Sequence, residues 1–218
     1  FQWQGSELLR NLGICVAEVD DALRGFDHPA MHREDFPWDL ANASAVIDLY
    51  LDQVEDSRTH HQIEVIRANL AEYVEPRMPL LEKSVIHNDA NDHNVIVQCA
   101  AIDRQQVAGL IDFGDMVHSY TVCGLAIAVA YAMLDKTDPL LAATHIVEGY
   151  HGVRPLSEDE LAVVFPMACG RLAVSACMAA IQQRERTDDP YLSVSQQPIQ
   201  RTLQQLLEIH PRLAEATF

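Results

Sequence analysis

The stretch 85-VIHNDANDHNVIV-97 sets His87, Asn88, Asp89, Asn91, Asp92, His93 and Asn94 between two β-branched runs, and 107-VAGLIDFGDMVHSY-120 follows with Asp112-Phe113-Gly114 at the end of another apolar run. Short Val- and Ile-rich runs bounded by polar clusters predict small strands, here Val85-Ile86, Val95 to Val97 and Val107 to Ile111. The polar cluster then occupies the loop between the first two strands, and Asp112 stands at the end of the third.

On either side of these strands the apolar period is helical. Ser6 is placed to cap a helix with apolar positions Leu8, Leu12, Cys15, Val16, Val19 and Leu23, which Gly25 can end. A second helix is expected near Asn42 to Leu51. A longer amphipathic one, with Ile63, Ile66, Leu70, Tyr73 and Val74 on one side, stops before Pro76. After Ser119 the pattern predicts helices over Val122 to Leu134 and Pro139 to Tyr150, one opened by the capping box Ser157-Glu158-Asp159-Glu160, and a last one over Ser195 to Ile209. Pro166 and Gly170 are expected to kink or divide the capping-box helix. The fold class is mainly α with a small β insertion that carries the polar cluster, without internal repeats.

The composition, 49% hydrophobic and 22% charged over 218 residues, is that of a globular domain with a sizeable core. A net charge of −17 repels phosphate backbones and anionic lipid, so nucleic acid and membrane are not expected partners; the charge suits a cationic substrate but is explained equally by solubility alone. The five scattered cysteines, Cys15, Cys99, Cys123, Cys169 and Cys177, form no CxxC pair and read as buried thiols of a reducing compartment, the cytoplasm. The apolar run Val122 to Leu134 falls short of the roughly 20 residues of a membrane span. The opening Phe1-Gln2-Trp3-Gln4, with no initiator Met, reads as an interior cut in a longer protein.

Three chemistries compete for 87-HNDANDHN-94. A calcium loop counted from Asp89 needs Gly at the sixth position and Glu at the twelfth but meets Asn94 and Ala100, so it fails. A zinc site from His87, Asp89 and His93 has suitable ligand types but no Cys or HExxH partner. The kinase catalytic loop, H-x-D-x-x-x-x-N followed after a hairpin by D-F-G, fits both segments in order: His87-x-Asp89-x4-Asn94, then Asp112-Phe113-Gly114. Phosphoryl transfer needs an acceptor or orienter for the substrate hydroxyl proton, and oxygen ligands that hold magnesium against the nucleotide phosphates. Asp89 can face the substrate, with His87 bracing the loop by hydrogen bonds rather than transferring protons. Asn94 and Asp112 supply an amide and a carboxylate oxygen, a set that suits magnesium better than an all-acid cage.

In these motifs the chain resembles the aminoglycoside phosphotransferase and choline kinase-like superfamily, small-molecule kinases with H-G-D-x-x-x-x-N and I-D-F or I-D-W segments. Within it the residues 91-NDHN-94, 109-GLIDFGDM-116 and 32-HREDFPWDL-40 are similar to the hydroxylysine kinase branch, and the likeness runs from near Leu12 to about Tyr191. The resemblance implies Asp89 as catalytic base with His87 in the same loop, Asn94 and Asp112 as Mg2+ ligands, and GTP or ATP as phosphoryl donor. The implied acceptor is a small cationic or zwitterionic hydroxyl compound such as 5-hydroxylysine, with homoserine, choline or an aminoglycoside as alternatives, and a non-catalytic binding or docking module as the other reading. Similar domains occur fused to aminotransferase modules.

Two features depart from the family pattern. Asn88 stands where the family has glycine, so the loop there calls for a backbone angle that Asn tolerates better than most residues. No glycine-rich loop precedes the catalytic segment, and the first lysine of the chain is Lys83. The chain is therefore expected to be the helical C-terminal lobe of a protein kinase-like fold over residues 1–218, its N-terminal β lobe absent and lying upstream of Phe1.

On the substrate side, Asp115 can meet a substrate ammonium or simply favour a helix N-terminus. Arg33 and Trp38 can contact a substrate carboxylate and cover the pocket, or serve as a surface ion pair and a packing residue. Arg171, set in the apolar stretch Phe165 to Ile181, needs a partner, either a structural carboxylate or an acidic substrate group.

Overall fold

A computed structural model describes residues 5–101, 104–185 and 190–218; Phe1 to Gln4, read above as an interior cut, lie outside them. Helices α1 (Ser6–Leu23), α2 (Ala43–Tyr50) and α3 (Ser57–Asn69) precede the strands, and α3 runs on through a π-helical turn at Leu70–Val74. Strands β1 (Lys83–Ile86), β2 (Val95–Ala101), β3 (Arg104–Leu110) and β4 (Val117–Tyr120) follow. The remainder is helical: α4 (Val122–Ala132), α5 (Pro139–Val153), α6 (Glu158–Glu185), α7 (Pro190–Leu206) and α8 (Pro211–Thr217). Mainly helical architecture with a small β portion is what the periodicity predicts.

The strands make two antiparallel pairs, β1 with β4 and β2 with β3. An isolated two-stranded hairpin is marginal in water, so both pairs depend on the helices beneath them. Ile86 and its partner Val117 supply the apolar part of one buried face of the first pair, and Val85 is buried on the other. Strand β4 has no counterpart among the strands read from the sequence. Its inward positions are Val117 and Ser119, and the serine disguises the alternation. Ser119 is tolerated inside because its Oγ donates to Asp39 Oδ1 at 2.6 Å.

Helices α1 and α5 cross backbone to backbone. A Cβ at Gly13 would collide with the Ile146 carbonyl, and one at Gly149 with the Arg10 carbonyl, so both glycines are required by the approach. Near this crossing Asp20 is 1% exposed, and burial pushes its carboxyl up to about 7 although Tyr150 Oη donates to Oδ2 at 2.7 Å. Gly124 of α4 leaves the room, since a Cβ there would stand 3.2 Å from Asp20 Oδ1.

Helix α4 is apolar on every side and buried almost throughout, as a core helix should be. Helix α6 begins with the expected reciprocal box, Ser157 N to Glu160 Oε2 at 2.9 Å and Glu160 N to Ser157 Oγ at 3.2 Å. Contrary to the expected division, α6 continues through Pro166 and Gly170 as one helix. Gly170 serves packing instead: a Cβ there would press on Leu70 Cδ2 at 3.2 Å. By length and composition Glu158–Arg184 could cross a membrane, a longer apolar helix than the run singled out in the sequence, but 89% of its most apolar window is buried inside the fold. Ser6 is the first residue of α1 rather than its cap; Gly5 holds the capping position without a side-chain bond. Of the cysteines, Cys123, Cys169 and Cys177 are buried, while Cys15 is half-buried and Cys99 exposed.

Candidate active site

The loop from His87 to Asn94 leaves β1 and enters β2, and it folds on itself through short-range bonds that Asn and Asp side chains favour. Asn91 N donates to Asp89 O at 2.8 Å, Asn94 N to Asn91 O at 3.1 Å, and His93 N to Asn91 Oδ1 at 2.8 Å. Asn88 has φ 65°, in the left-handed region. Its Nδ2 donates to Trp38 O at 3.2 Å, while its buried Oδ1 has no partner among the described residues.

These turns aim the Asp89 carboxylate. Asn91 Nδ2 and Asn94 Nδ2 donate to Oδ2 at 2.9 Å and 2.7 Å, and Arg171 Nη2 donates to Oδ1 at 3.0 Å. Arg171 comes from the middle of α6 and is 3% exposed; Asp89 keeps a fifth of its side chain, 20%, open. The structural carboxylate foreseen as one possible partner of Arg171 is thus Asp89 itself. Trp38 also meets the arginine, its ring 4.8 Å from the guanidinium carbon and its carbonyl accepting from Nη1 at 3.0 Å. The Trp38 loop is pinned by the next residue, Asp39, whose carboxyl is raised by burial and which accepts from Ser119 Oγ and from Ala41 N at 3.0 Å.

His87 joins this loop to the Asp112 segment. It is 2% exposed, its Nε2 donates to Ile111 O at 3.0 Å, and its Nδ1 accepts from Asp89 N at 3.3 Å. A carbonyl can only accept and an amide N–H only donate, so the two partners fix one neutral tautomer. The Phe113 ring stands edge-on at 4.7 Å. Both ring nitrogens are engaged with backbone, which leaves His87 no nitrogen to offer a substrate.

Asp112 follows β3 by two residues, has φ 63° and caps a tight turn, Gly114 N donating to its Oδ1 at 3.3 Å. Ile111 N bonds Asn94 O at 2.9 Å, so Asp112 is delivered beside Asn94 by strand pairing. The Asn94 amide nitrogen is used twice on Asp89, on its carboxylate and on its carbonyl at 2.9 Å, which orients the Oδ1 of Asn94 elsewhere. An amide oxygen just before β2 and an exposed carboxylate just after β3 are hard donors of the kind magnesium takes, with the rest of its shell left to phosphate and water. Among the described residues no cluster of three or more His, Cys, Asp or Glu could by itself hold a metal.

Arg33 and Asp115 face each other loosely, Nη1 to Oδ1 at 4.0 Å, and Arg33 also lies over the Phe36 ring at 3.4 Å. They form a group apart from the Asp89 cluster, on the Asp112 side of the site. The sequence reading overlooked Asn91 and Tyr131; the latter accepts from Arg171 Nε at 3.3 Å. Asn91 lay in view inside the motif, whereas nothing in the sequence marks Tyr131 among the residues of α4. An exposed apolar face also went unread: Ile96 and Ile111 are 45% and 47% exposed, and the pairing Ile96↔Gly109 puts them on one side of the β2–β3 hairpin.

Residues 4–157 match the phosphotransferase enzyme family, APH. The mouse (Mus musculus) hydroxylysine kinase is 31% identical over 215 residues, covering 95% of this chain and 57% of the mouse protein. The bovine (Bos taurus) hydroxylysine kinase is 28% identical over 219 residues, covering 97% of this chain and 58% of that protein. The chain thus spans less than two thirds of the length of the curated relatives it matches. Among solved structures, a microcompartment-associated aminopropanol kinase superposes with TM-score 0.67 at 16% identity, covering 93% of this chain and 61% of that one. An aminoglycoside phosphotransferase from Alicyclobacillus acidocaldarius superposes with TM-score 0.58 at 16% identity, covering 94% and 66%.

Proposed function

Starting from a chain that belongs to the phosphotransferase enzyme family, we propose that it is the catalytic-loop lobe of a small-molecule kinase. The reaction is transfer of the terminal phosphate of a magnesium nucleotide, GTP or ATP, to the hydroxyl of a small amine or amino acid such as 5-hydroxylysine. The observation that carries this reading is the bonding at Asn94: its side-chain nitrogen donates to the Asp89 carboxylate and carbonyl, and its backbone carbonyl accepts from Ile111 N, next to Asp112.

Asp89 orients the acceptor hydroxyl and takes up its proton. Asn94 and Asp112 would hold Mg2+, which when bound offsets the charge on the phosphate oxygens. His87 keeps Asp89 and the Asp112 segment in register through its two backbone bonds. Trp38 closes the side of the pocket next to Arg171. Arg33 and Asp115, loosely paired and half-exposed, are placed to separate around a zwitterion, the guanidinium meeting a carboxylate and the Asp115 carboxylate meeting an ammonium. The exposed Ile96 and Ile111 face offers the nucleotide base an apolar floor.

Coverage of 57% of the mouse relative leaves room in the whole protein for the β lobe that would grip the phosphates. Residues 1–218 alone are accordingly expected to bind nucleotide weakly and to transfer no phosphate. The test is an acceptor screen on the complete protein, each hydroxyl compound assayed with GTP and with ATP. Turnover of 5-hydroxylysine or a related amino alcohol supports the reading. No phosphorylation of any acceptor, or tight magnesium-nucleotide binding by residues 1–218 in calorimetry, contradicts it.

A further inference from the structure

Resting on the reading of Asp89 as the group that receives the acceptor's proton, we propose that Arg171 is the positioning residue of this site and that the acceptor hydroxyl is delivered to Asp89 Oδ1. Each carboxylate oxygen can accept about two hydrogen bonds. Among the described residues Oδ2 has two donors, Asn91 Nδ2 and Asn94 Nδ2, while Oδ1 has one, Arg171 Nη2. The open acceptor position is therefore on Oδ1, the atom that Arg171 holds.

Arg171 is itself fixed at every nitrogen: Nε donates to Tyr131 Oη, Nη1 to Trp38 O, and Nη2 to Asp89. Its guanidinium carbon lies 4.8 Å from the Trp38 ring and 5.6 Å from the Tyr131 ring. A guanidinium is a rigid planar fork, so anchoring two arms at Tyr131 and Trp38 determines where the third points. Through it α4, α6 and the Trp38 loop all bear on one carboxylate oxygen. Trp38 O accepts from Asn88 Nδ2 as well, which locks the same loop to the residue preceding Asp89. With its nitrogens engaged and 3% exposure, Arg171 is no receptor for the carboxylate of an incoming substrate.

In the transfer step the acceptor oxygen bonds to the terminal phosphorus as its O–H proton passes to Asp89 Oδ1. The bond from that phosphorus to the bridging oxygen breaks, and its electron pair leaves on the nucleoside diphosphate. Arg171 keeps Oδ1 in line throughout and neither gains nor loses a proton.

The test uses the complete protein and steady-state kinetics with wild type, Arg171→Lys, Arg171→Ala and Asp89→Asn. Arg171→Ala is expected to lose about 100-fold in kcat, the typical cost of a misplaced reacting group, with KM for nucleotide and acceptor changed little. Guanidinium ion at millimolar concentration should restore part of that kcat in Arg171→Ala and nothing in Asp89→Asn. Lysine carries its three donors on one nitrogen and lacks the planar fork that reaches Tyr131, Trp38 and Asp89 together, so Arg171→Lys should be slow while still melting in a cooperative transition. Should Arg171→Ala fail to fold, the lysine variant decides alone. A lysine variant at wild-type kcat, an alanine variant that is slow yet not rescued, or a rise in acceptor KM at constant kcat each overturns the inference. Full turnover by Asp89→Asn would instead remove the functional reading on which it rests.

Discussion

Asn88→Ala and Asn88→Gly should separate sharply, because two opposing effects act at this residue. The backbone is in the left-handed region at φ 65°, where an alanine costs roughly 1–2 kcal/mol and a glycine almost nothing. Either substitution removes the bond from Nδ2 to Trp38 O, about 0.5–1.5 kcal/mol. Either also removes the buried Oδ1 that has no partner among the described residues, which offsets part of that loss. Asn88→Gly should therefore stay within about 1 kcal/mol of wild type, and Asn88→Ala should lie about 1–2 kcal/mol below the glycine variant. Urea unfolding followed by circular dichroism measures both in residues 1–218, provided the chain unfolds in one cooperative transition. Equal midpoints for alanine and glycine would refute the argument from the backbone angle.

Gly149→Ala should be severely destabilising, at least about 1–3 kcal/mol, because α1 and α5 must separate before a methyl fits against the Arg10 carbonyl; a thermal melt near wild type would disprove the close crossing. The Asp20 carboxyl is raised by burial to about 7 from its usual 3.8, so the folded state binds its proton more tightly than the unfolded state. That contribution is present at low pH and fades as pH rises from about 4 to about 7, a loss on the order of a few kcal/mol. Asp20→Asn should flatten the urea-midpoint profile across this window, and an unchanged slope would exclude Asp20 as its source. Asp112→Ala in the complete protein should abolish magnesium-dependent nucleotide binding in calorimetry, whereas unchanged binding would reject the metal role.

Much of this arrangement is visible in the sequence because local chemistry dictates it. The capping box at Ser157 and Glu160 closes as its spacing predicts, and the Asn at position 88 takes the left-handed angle that its replacement of glycine implies. Strand β4 was hidden because Ser119 occupies an inward position and is satisfied by Asp39, a residue distant in sequence. The division expected at Pro166 and Gly170 does not occur, since α6 is one helix, and the need for Gly170 arises from Leu70 on another helix. Arg171 signalled itself as a charge in an apolar stretch, but only the fold identifies Asp89 as its partner. The Gly13 and Gly149 contacts likewise exist only between α1 and α5, where neither sequence segment announces the other.

The most direct measurement is the turnover of Asp89→Asn in the complete protein, taken with the acceptor on which wild type is most active and accompanied by nucleotide-binding calorimetry. Asn preserves shape, and its single amide oxygen can still accept from Asn91 and Asn94 while its NH2 replaces the oxygen that Arg171 holds. A fall in kcat of about 10²- to 10⁴-fold at unchanged magnesium-nucleotide affinity is the predicted result. Turnover at the wild-type rate would contradict the assignment of Asp89, and with it the reading of this loop as a phosphotransfer site.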